Sequence, residues 1–241
     1  MKIISVNVGM PKIIEVDGQM VTTSIFKEPV AGRVAVRRHN LDGDGQADLT
    51  VHGGKDKAVY AYPAEHYEFW KRELPKMQLP CGMFGENLTT SGLFEKETNI
   101  GDTFKIGTTI LQVTQPRLPC FKLAIKFGRT DIIKRFMQSE RSGIYFSIIE
   151  EGDLAADDSI EPLEQAEPSV TVTDIVRLYS TEKTNQDLLR RAITVTALPE
   201  AWRDYFRQRL NKLQGKAVDT PLAKARGFLG CTPLGCITPE A

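Results

Sequence analysis

Near residue 168 the apolar pattern changes its period, and that change limits the folds open to the chain. Before it, apolar and polar residues alternate in short runs. Ile3 to Val8, Gly32 to Arg38 and Ala58 to Tyr62 are such runs, and Ile144 to Ile149 is a nearly continuous apolar one. Thr103 to Thr114 reads as a hairpin turning at Gly107. Alternation places successive side chains on opposite faces of a strand. Many short strands punctuated by Gly and Pro predict a mainly β fold, barrel-like or a folded sheet. Two helices interrupt it. Ala64 to Leu74 follows Pro63 and puts Tyr67 and Trp70 on one face. Asp131 to Ser139 follows Thr130, a candidate N-cap, and puts Ile132, Ile133 and Phe136 on one face.

After Pro168 the period becomes helical. Thr173 is a candidate cap for 174–179 and Asn185 for 186–193, and Pro199 is placed to open 200–210. Three helices this short cannot bury much surface alone, so they are expected to dock on the β domain. The expected organisation is a β domain over residues 1–168, a three-helix module over 169–212, and a mobile tail over 213–241.

Composition excludes some classes. Thirty-one Lys and Arg balance 31 Asp and Glu, so net charge does not point to nucleic acid or an anionic membrane. No apolar run reaches the length of a membrane span. The first residues, Met1 to Gly9, alternate like a strand and lack the layout of an export signal. The four cysteines, at 81, 120, 231 and 236, form no CxxC pair, and free thiols in a cytoplasmic protein are expected.

Three strings carry candidate chemistry. The first is Gln115-Pro116-Arg117-Leu118-Pro119-Cys120-Phe121-Lys122. Cations at Arg117 and Lys122 favour the thiolate of Cys120, the form that attacks electrophiles or binds soft metals. The prolines place this cysteine on a turn. The second is His52-Gly53-Gly54-Lys55-Asp56-Lys57. Paired glycines can form an anion-binding nest, with Lys55 and Lys57 adding charge, although taken alone they are better explained by a plain hairpin turn. Upstream, Asp42, Asp44 and Gln46 stand at the first, third and fifth positions of a calcium-like loop, but Ala47 and Gly53 stand where a Gly and a bidentate Glu are required. A polar turn capped by Asp side chains is the expectation there. The third is Gly82-Met83-Phe84-Gly85-Glu86-Asn87, a Gly-rich turn presenting a carboxylate and an amide.

Other features point to bland roles. The histidines at 39, 52 and 66 lack zinc-ligand spacing. Cys81 reads as a structural thiol, and Cys231 with Cys236 make at most half a zinc site. The Arg-rich stretch around Arg203 and Arg207 is diluted by Glu200 and Asp204, so a solvated face is expected rather than a nucleic-acid surface.

Taken in order, Asp48, His52-Gly53-Gly54, Asp56-Lys57-Ala58-Val59-Tyr60, Gly85-Glu86-Asn87-Leu88 and Gln115-Pro116-Arg117 with Pro119-Cys120 and Lys122 resemble a MOSC domain. The resemblance is to its stand-alone YiiM-like branch, in which a three-helix module follows, and it covers about residues 1–210. It implies a β-barrel-like fold that binds the molybdenum cofactor, a pterin dithiolene with a phosphate. It implies that Cys120 is the molybdenum ligand. Arg117, Lys122 and Lys57 would face the anionic metal or phosphate, with Arg33 and Arg38 as weaker candidates. Glu86 and Asn87 would meet polar pterin edges, and His52, Gly53 and Gly54 would line the pocket. The implied reaction is reductive removal of oxygen from an N-hydroxylated compound, such as a hydroxylaminopurine or an amidoxime. The chain has no flavin, NAD or iron–sulfur motif, so electrons would come from an external flavin or haem reductase.

Three rival readings use the same residues. Cys120 could carry a persulfide, since carrier and ligand both need a low-pKa thiol. The domain could hold the cofactor without catalysis. The helical module could be a binding surface for protein or nucleic acid.

Overall fold

A computed structural model describes residues 1–47 and 53–216. The N-terminal region contains β1 (Lys2–Val8), a hairpin of β2 (Lys12–Val16) and β3 (Gln19–Thr23), and β4 (Glu28–Pro29). Next come β5 (Val34–Arg37), β6 (Asn40–Leu41), a 3-10 turn at Lys55–Lys57, β7 (Val59–Pro63), α1 (Glu65–Glu73) and β8 (Leu88–Ser91). The hairpin predicted around Gly107 is β9 (Thr103–Ile106) and β10 (Thr109–Pro116). It leads into α2 (Phe121–Phe127) and α3 (Ile132–Gln138). Then follow β11 (Ile144–Glu150), β12 (Gly152–Leu154) and β13 (Ile160–Glu164). Three helices end the described chain: α4 (Val172–Tyr179), α5 (Gln186–Thr194) and α6 (Glu200–Leu213).

Eight strands form one sheet in the order β13-β9-β10-β11-β7-β8-β1-β4. All neighbours are antiparallel except β7 and β8, which α1 joins by a crossover, the connection that parallel strands require. The sheet curls until the β13 end approaches β1. The Ile3 amide donates to the Asp158 carbonyl at 3.0 Å, and Ile160 donates to Met1 at 2.9 Å. Only an isolated bridge, Lys2 with Ser159, joins them, so the expected barrel is a curled sheet without a continuous closing ladder among the described residues.

Two cores hold this arrangement. The larger runs from Ile3, Val36, Leu111 and Phe146 of the strands to Ile175, Leu189 and Trp202 of the last three helices. The helical module therefore docks on the sheet, as its size required. The smaller is largely aromatic and packs Tyr62, Trp70, Phe84 and Phe136 between α1, α3 and the 82–87 turn. Both tyrosine and tryptophan polar tips are paired here: Trp70 Nε1 donates to Tyr62 Oη at 2.7 Å.

Helix ends differ from expectation in detail. Thr171, not Thr173, caps α4, through a reciprocal capping box with Asp174. Thr173 lies within the helix. Asn185 does cap α5, accepting from the Leu188 amide at 3.1 Å. Thr130 makes no capping bond, since Asp131 occupies the N-cap position of α3. No helix among the described residues is long and apolar enough to cross a membrane. The tail, with Cys231 and Cys236, lies outside the described residues.

Candidate functional site

Strand β10 ends at Pro116, and the chain turns through Pro119 into α2, with Cys120 as the N-cap residue. The Cys120 carbonyl accepts the first helical bond, from the Leu123 amide at 2.9 Å. The cysteine was expected on a plain turn. Seven residues after it, Phe121–Phe127, form a helix because Leu123 and Phe127 share one buried face. Cys120 is 6% exposed and lies on the wall of a cavity of about 110 Å³ that opens to solvent on one side. It supplies the one thiol on that wall among the described residues.

Among the described residues, four cations line the same cavity, Lys27, Lys57, Arg117 and Lys122, against a single carboxylate, Asp44. A low-dielectric concave wall with that excess favours an anion or a thiolate. Arg117 is 6% exposed. Its Nη1 donates to the Phe84 carbonyl at 2.6 Å, and its guanidinium lies 5.2 Å from the Tyr60 ring centroid and 5.6 Å from that of Phe136. The predicted binding residue is thus also a strut, fastening the 82–87 turn to the segment before Cys120. Tyr145 lines the cavity with its ring 4.9 Å from Tyr60. Burial raises the Tyr145 pKa while Arg117 opposes it, so the phenol stays protonated at neutral pH.

The Gly-rich turn does different work from that expected. Glu86 does not face the cavity. It is fully buried, and its carboxylate accepts from the Gly82 amide at 2.8 Å, the Phe84 amide at 3.0 Å, Thr89 Oγ1 at 2.9 Å and Tyr67 Oη. Burial pushes its pKa up, against the pull of those hydrogen bonds. Asn87 does reach the cavity wall. Its Nδ2 donates to Asp44 Oδ2 at 2.8 Å and its Oδ1 accepts from the Tyr60 amide at 3.1 Å. The glycines serve close approach. A Cβ on Gly82 would sit 2.8 Å from the Lys27 carbonyl, and one on Gly85 would sit 2.9 Å from Ile25 Cγ1. Both have positive φ, so only glycine both turns here and admits the 25–27 segment.

The paired glycines also lie off the cavity. The Gly54 amide donates to Gln46 Oε1 at 2.9 Å, and a Cβ on Gly53 would clash with that same oxygen. They back Gln46, which lines the cavity itself and also donates to the Lys57 carbonyl at 3.2 Å. His52 lies outside the described residues. Arg33 pairs with exposed Asp153 and with Asp158, and neither Arg33 nor Arg38 lines the cavity.

Among the cavity residues not anticipated are Ser24, Lys27, Asp44, Gln46 and Tyr145. Ser24 Oγ is buried without a hydrogen-bond partner. Lys27 and Asp44 form a buried ion pair, and Asp44 Oδ1 also accepts from the Gly9 amide at 2.9 Å. Asp44 had a sequence signal, the polar Asp-rich loop, but that loop reads as a turn. Lys27 had none, because its neighbours show no period.

The MOSC domain model matches residues 48–161, and the model for the YiiM-like 3-alpha helix domain matches residues 170–213. Protein YiiM of Escherichia coli (strain K12) is 34% identical over 199 residues, covering 82% of this chain and 88% of that protein. A protein named Reductase from Gibberella moniliformis is 30% identical over 80% of this chain, which spans 35% of that longer protein. Among solved structures, YiiM from Geobacillus stearothermophilus superposes with a TM-score of 0.74 at 35% identity, covering 87% of this chain and 98% of that one.

Proposed function

The chain belongs to the MOSC family, with the YiiM-like three-helix domain after it, and from that premise we propose that it is a molybdenum-cofactor-dependent reductase of N-hydroxylated compounds. The observation that carries the reading is the placement of the Cys120 thiol in one cavity wall with Lys57, Arg117 and Lys122. A soft thiolate donor beside cations suits an anionic, sulfur-rich metal group.

The residues present fit such a group. Cys120 would bind the metal, and Lys57 and Lys122 would meet its negative charge. Ser24 Oγ, buried without a partner, would gain one. Asn87 has its amide committed to Asp44 and Tyr60, so it shapes the wall rather than reading a ligand edge. The enclosed volume of about 110 Å³ accommodates the reacting end of a larger ligand, with the remainder in the open mouth. When bound, the cofactor supplies the two-electron chemistry that no side chain offers. The protein's part is to orient the substrate, exclude water and deliver protons.

The overall change is R–NHOH + 2e⁻ + 2H⁺ → R–NH₂ + H₂O. Electrons would enter from a separate flavin or haem reductase. A relative named Reductase, matched over 80% of this chain, supports the reductase reading.

Metal analysis tests the reading. Protein purified from a host that makes the cofactor is expected to carry stoichiometric molybdenum, and Cys120→Ala to lose it. Absence of molybdenum from the wild-type protein defeats the reading. A mass increase of one sulfur on Cys120 without metal would establish a persulfide carrier instead.

A further inference from the structure

The buried pair Lys27–Asp44 has no role in the scheme above. Its side chains are 8% and 4% exposed, and both line the cavity that holds Cys120. Removing two charges from water costs more than an exposed pair returns, so stability alone is a poor reason to keep one in a cavity wall.

The two partners are held unequally. Asp44 is locked: one oxygen accepts from Gly9 and Lys27, the other from Asn87. Lys27 Nζ has Asp44 as its one hydrogen-bond acceptor among the described residues, which leaves two N–H bonds for the contents of the cavity. Its backbone is fixed by the close passage over Gly82 and by the hydrogen bond its amide donates to the Ile25 carbonyl at 3.0 Å. Asp44 and Glu86 face this ammonium from one sign of charge, and Arg117 and Lys126 from the other.

We propose that Lys27 is the proton donor of the site, giving a proton from Nζ to the oxygen that leaves as the N–O bond breaks, and that Asp44 is its positioning residue. This rests on the reductase reading. In the step one N–O bond breaks and one O–H and one N–H bond form. Both electrons come from the external flavin or haem donor. Lys27 supplies one proton and water the other, and the neutral amine is recharged from solvent through the open side of the cavity. A donor works best when it gives up its proton near the operating pH. Burial lowers the Lys27 pKa from 10.5 and Arg117 adds to this, against the opposing pull of Asp44 and Glu86.

The test uses the full chain purified from a cofactor-making host, with reduced methyl viologen as donor and benzamidoxime as probe. Lys27→Gln is expected to lose at least about tenfold in kcat, with KM within about twofold and molybdenum content unchanged. Lys27→Arg keeps the charge but cannot release a proton, so it should share the defect. Recovery of kcat in Lys27→Arg would make the role one of charge and overturn the proposal. Asp44→Asn removes the group that holds Lys27 protonated, so the alkaline limb of kcat should move to lower pH. Independently of activity, Lys27 in carbon-13-labelled wild-type protein should titrate below 10.5; a midpoint at or above that value overturns the proposal. Wild-type protein that carries molybdenum but reduces no probe overturns the reductase reading and, with it, this one. Normal reductase activity with wild-type kcat in Lys27→Gln overturns this one alone.

Discussion

Trp202 Nε1 donates to Gln115 Oε1 at 2.7 Å, and Gln115 Nε2 donates in turn to the Asp56 carbonyl at 3.2 Å. Helix α6 is thereby tied to the strand that leads to Cys120 and to the turn that carries Lys57. Trp202 is 1% exposed and packs edge-on to Tyr179, so this bond forms in the shared core rather than across a wet interface.

Trp202→Phe keeps most of that packing but leaves a buried amide oxygen unpaired. The expected cost is about 1–3 kcal/mol. Trp202→Ala adds a cavity and should cost about 3–5 kcal/mol. Urea unfolding measures both. An unchanged midpoint for Trp202→Phe would show that the bond contributes nothing to stability.

Arg117→Lys should behave as a disruptive change. Lysine keeps the charge but lacks the planar fork that reaches the Phe84 carbonyl while lying against Tyr60 and Phe136. A loss of about 2 kcal/mol or more is expected from the unpaired carbonyl and the buried ammonium. Reduced molybdenum retention should accompany it. A variant with wild-type stability and metal content would contradict the strut assignment.

Gly82→Ala and Gly128→Ala form a matched comparison. Both glycines have positive φ, but only the Gly82 Cβ meets backbone, at 2.8 Å from the Lys27 carbonyl. Gly128 has open space. Conformational strain alone is worth about 1–3 kcal/mol. Gly82→Ala should cost more than Gly128→Ala, because it also displaces the segment that holds Lys27. Equal thermal melts for the two would refute the close-approach argument.

Lys126 makes stability depend on pH. Its Nζ donates to the Ile25 carbonyl at 2.7 Å, and burial lowers its pKa from 10.5 to about 8. The folded state therefore disfavours the charged form. Below about 8 both states are protonated and the folded protein carries the full penalty. As pH rises from about 8 to 10.5 the folded state sheds its proton first, and stability increases by up to about 3 kcal/mol. The stability of wild type relative to Lys126→Met should rise across that window and level off above it. A constant difference, measured by urea unfolding across the window, would count against a buried, proton-shedding Lys126.

Much of the scaffold is legible in the chain because it is local. Alternation marks β1, β5, β7 and the β9–β10 hairpin, and the prolines and Asn185 mark helix ends at the right places. The miss at α2 has a local cause. Phe121–Phe127 mixes apolar residues with Lys122 and Lys126 over barely two turns, too short for a period to stand out. Cys120, Arg117 and Lys122 meet in one cavity because they are neighbours in the chain. Glu86 was misplaced for the opposite reason. A Gly-rich turn with a carboxylate looks the same in sequence whether that carboxylate points to a ligand or, as here, accepts four bonds from its own protein.

By itself the sequence determined the β-rich body, the helical appendage and the cysteine between two cations, since each depends on side chains within a few residues of one another. Tertiary structure alone decided that Lys27, Asp44 and Asn87 form one buried set beside that cysteine. They stand up to 60 residues apart in the chain. Only the curl of the sheet, and two glycines small enough to let the 25–27 segment pass, bring their polar groups within bonding distance. Whether a charge is buried, and against what partner, is set by that packing and not by the identity of its neighbours in sequence.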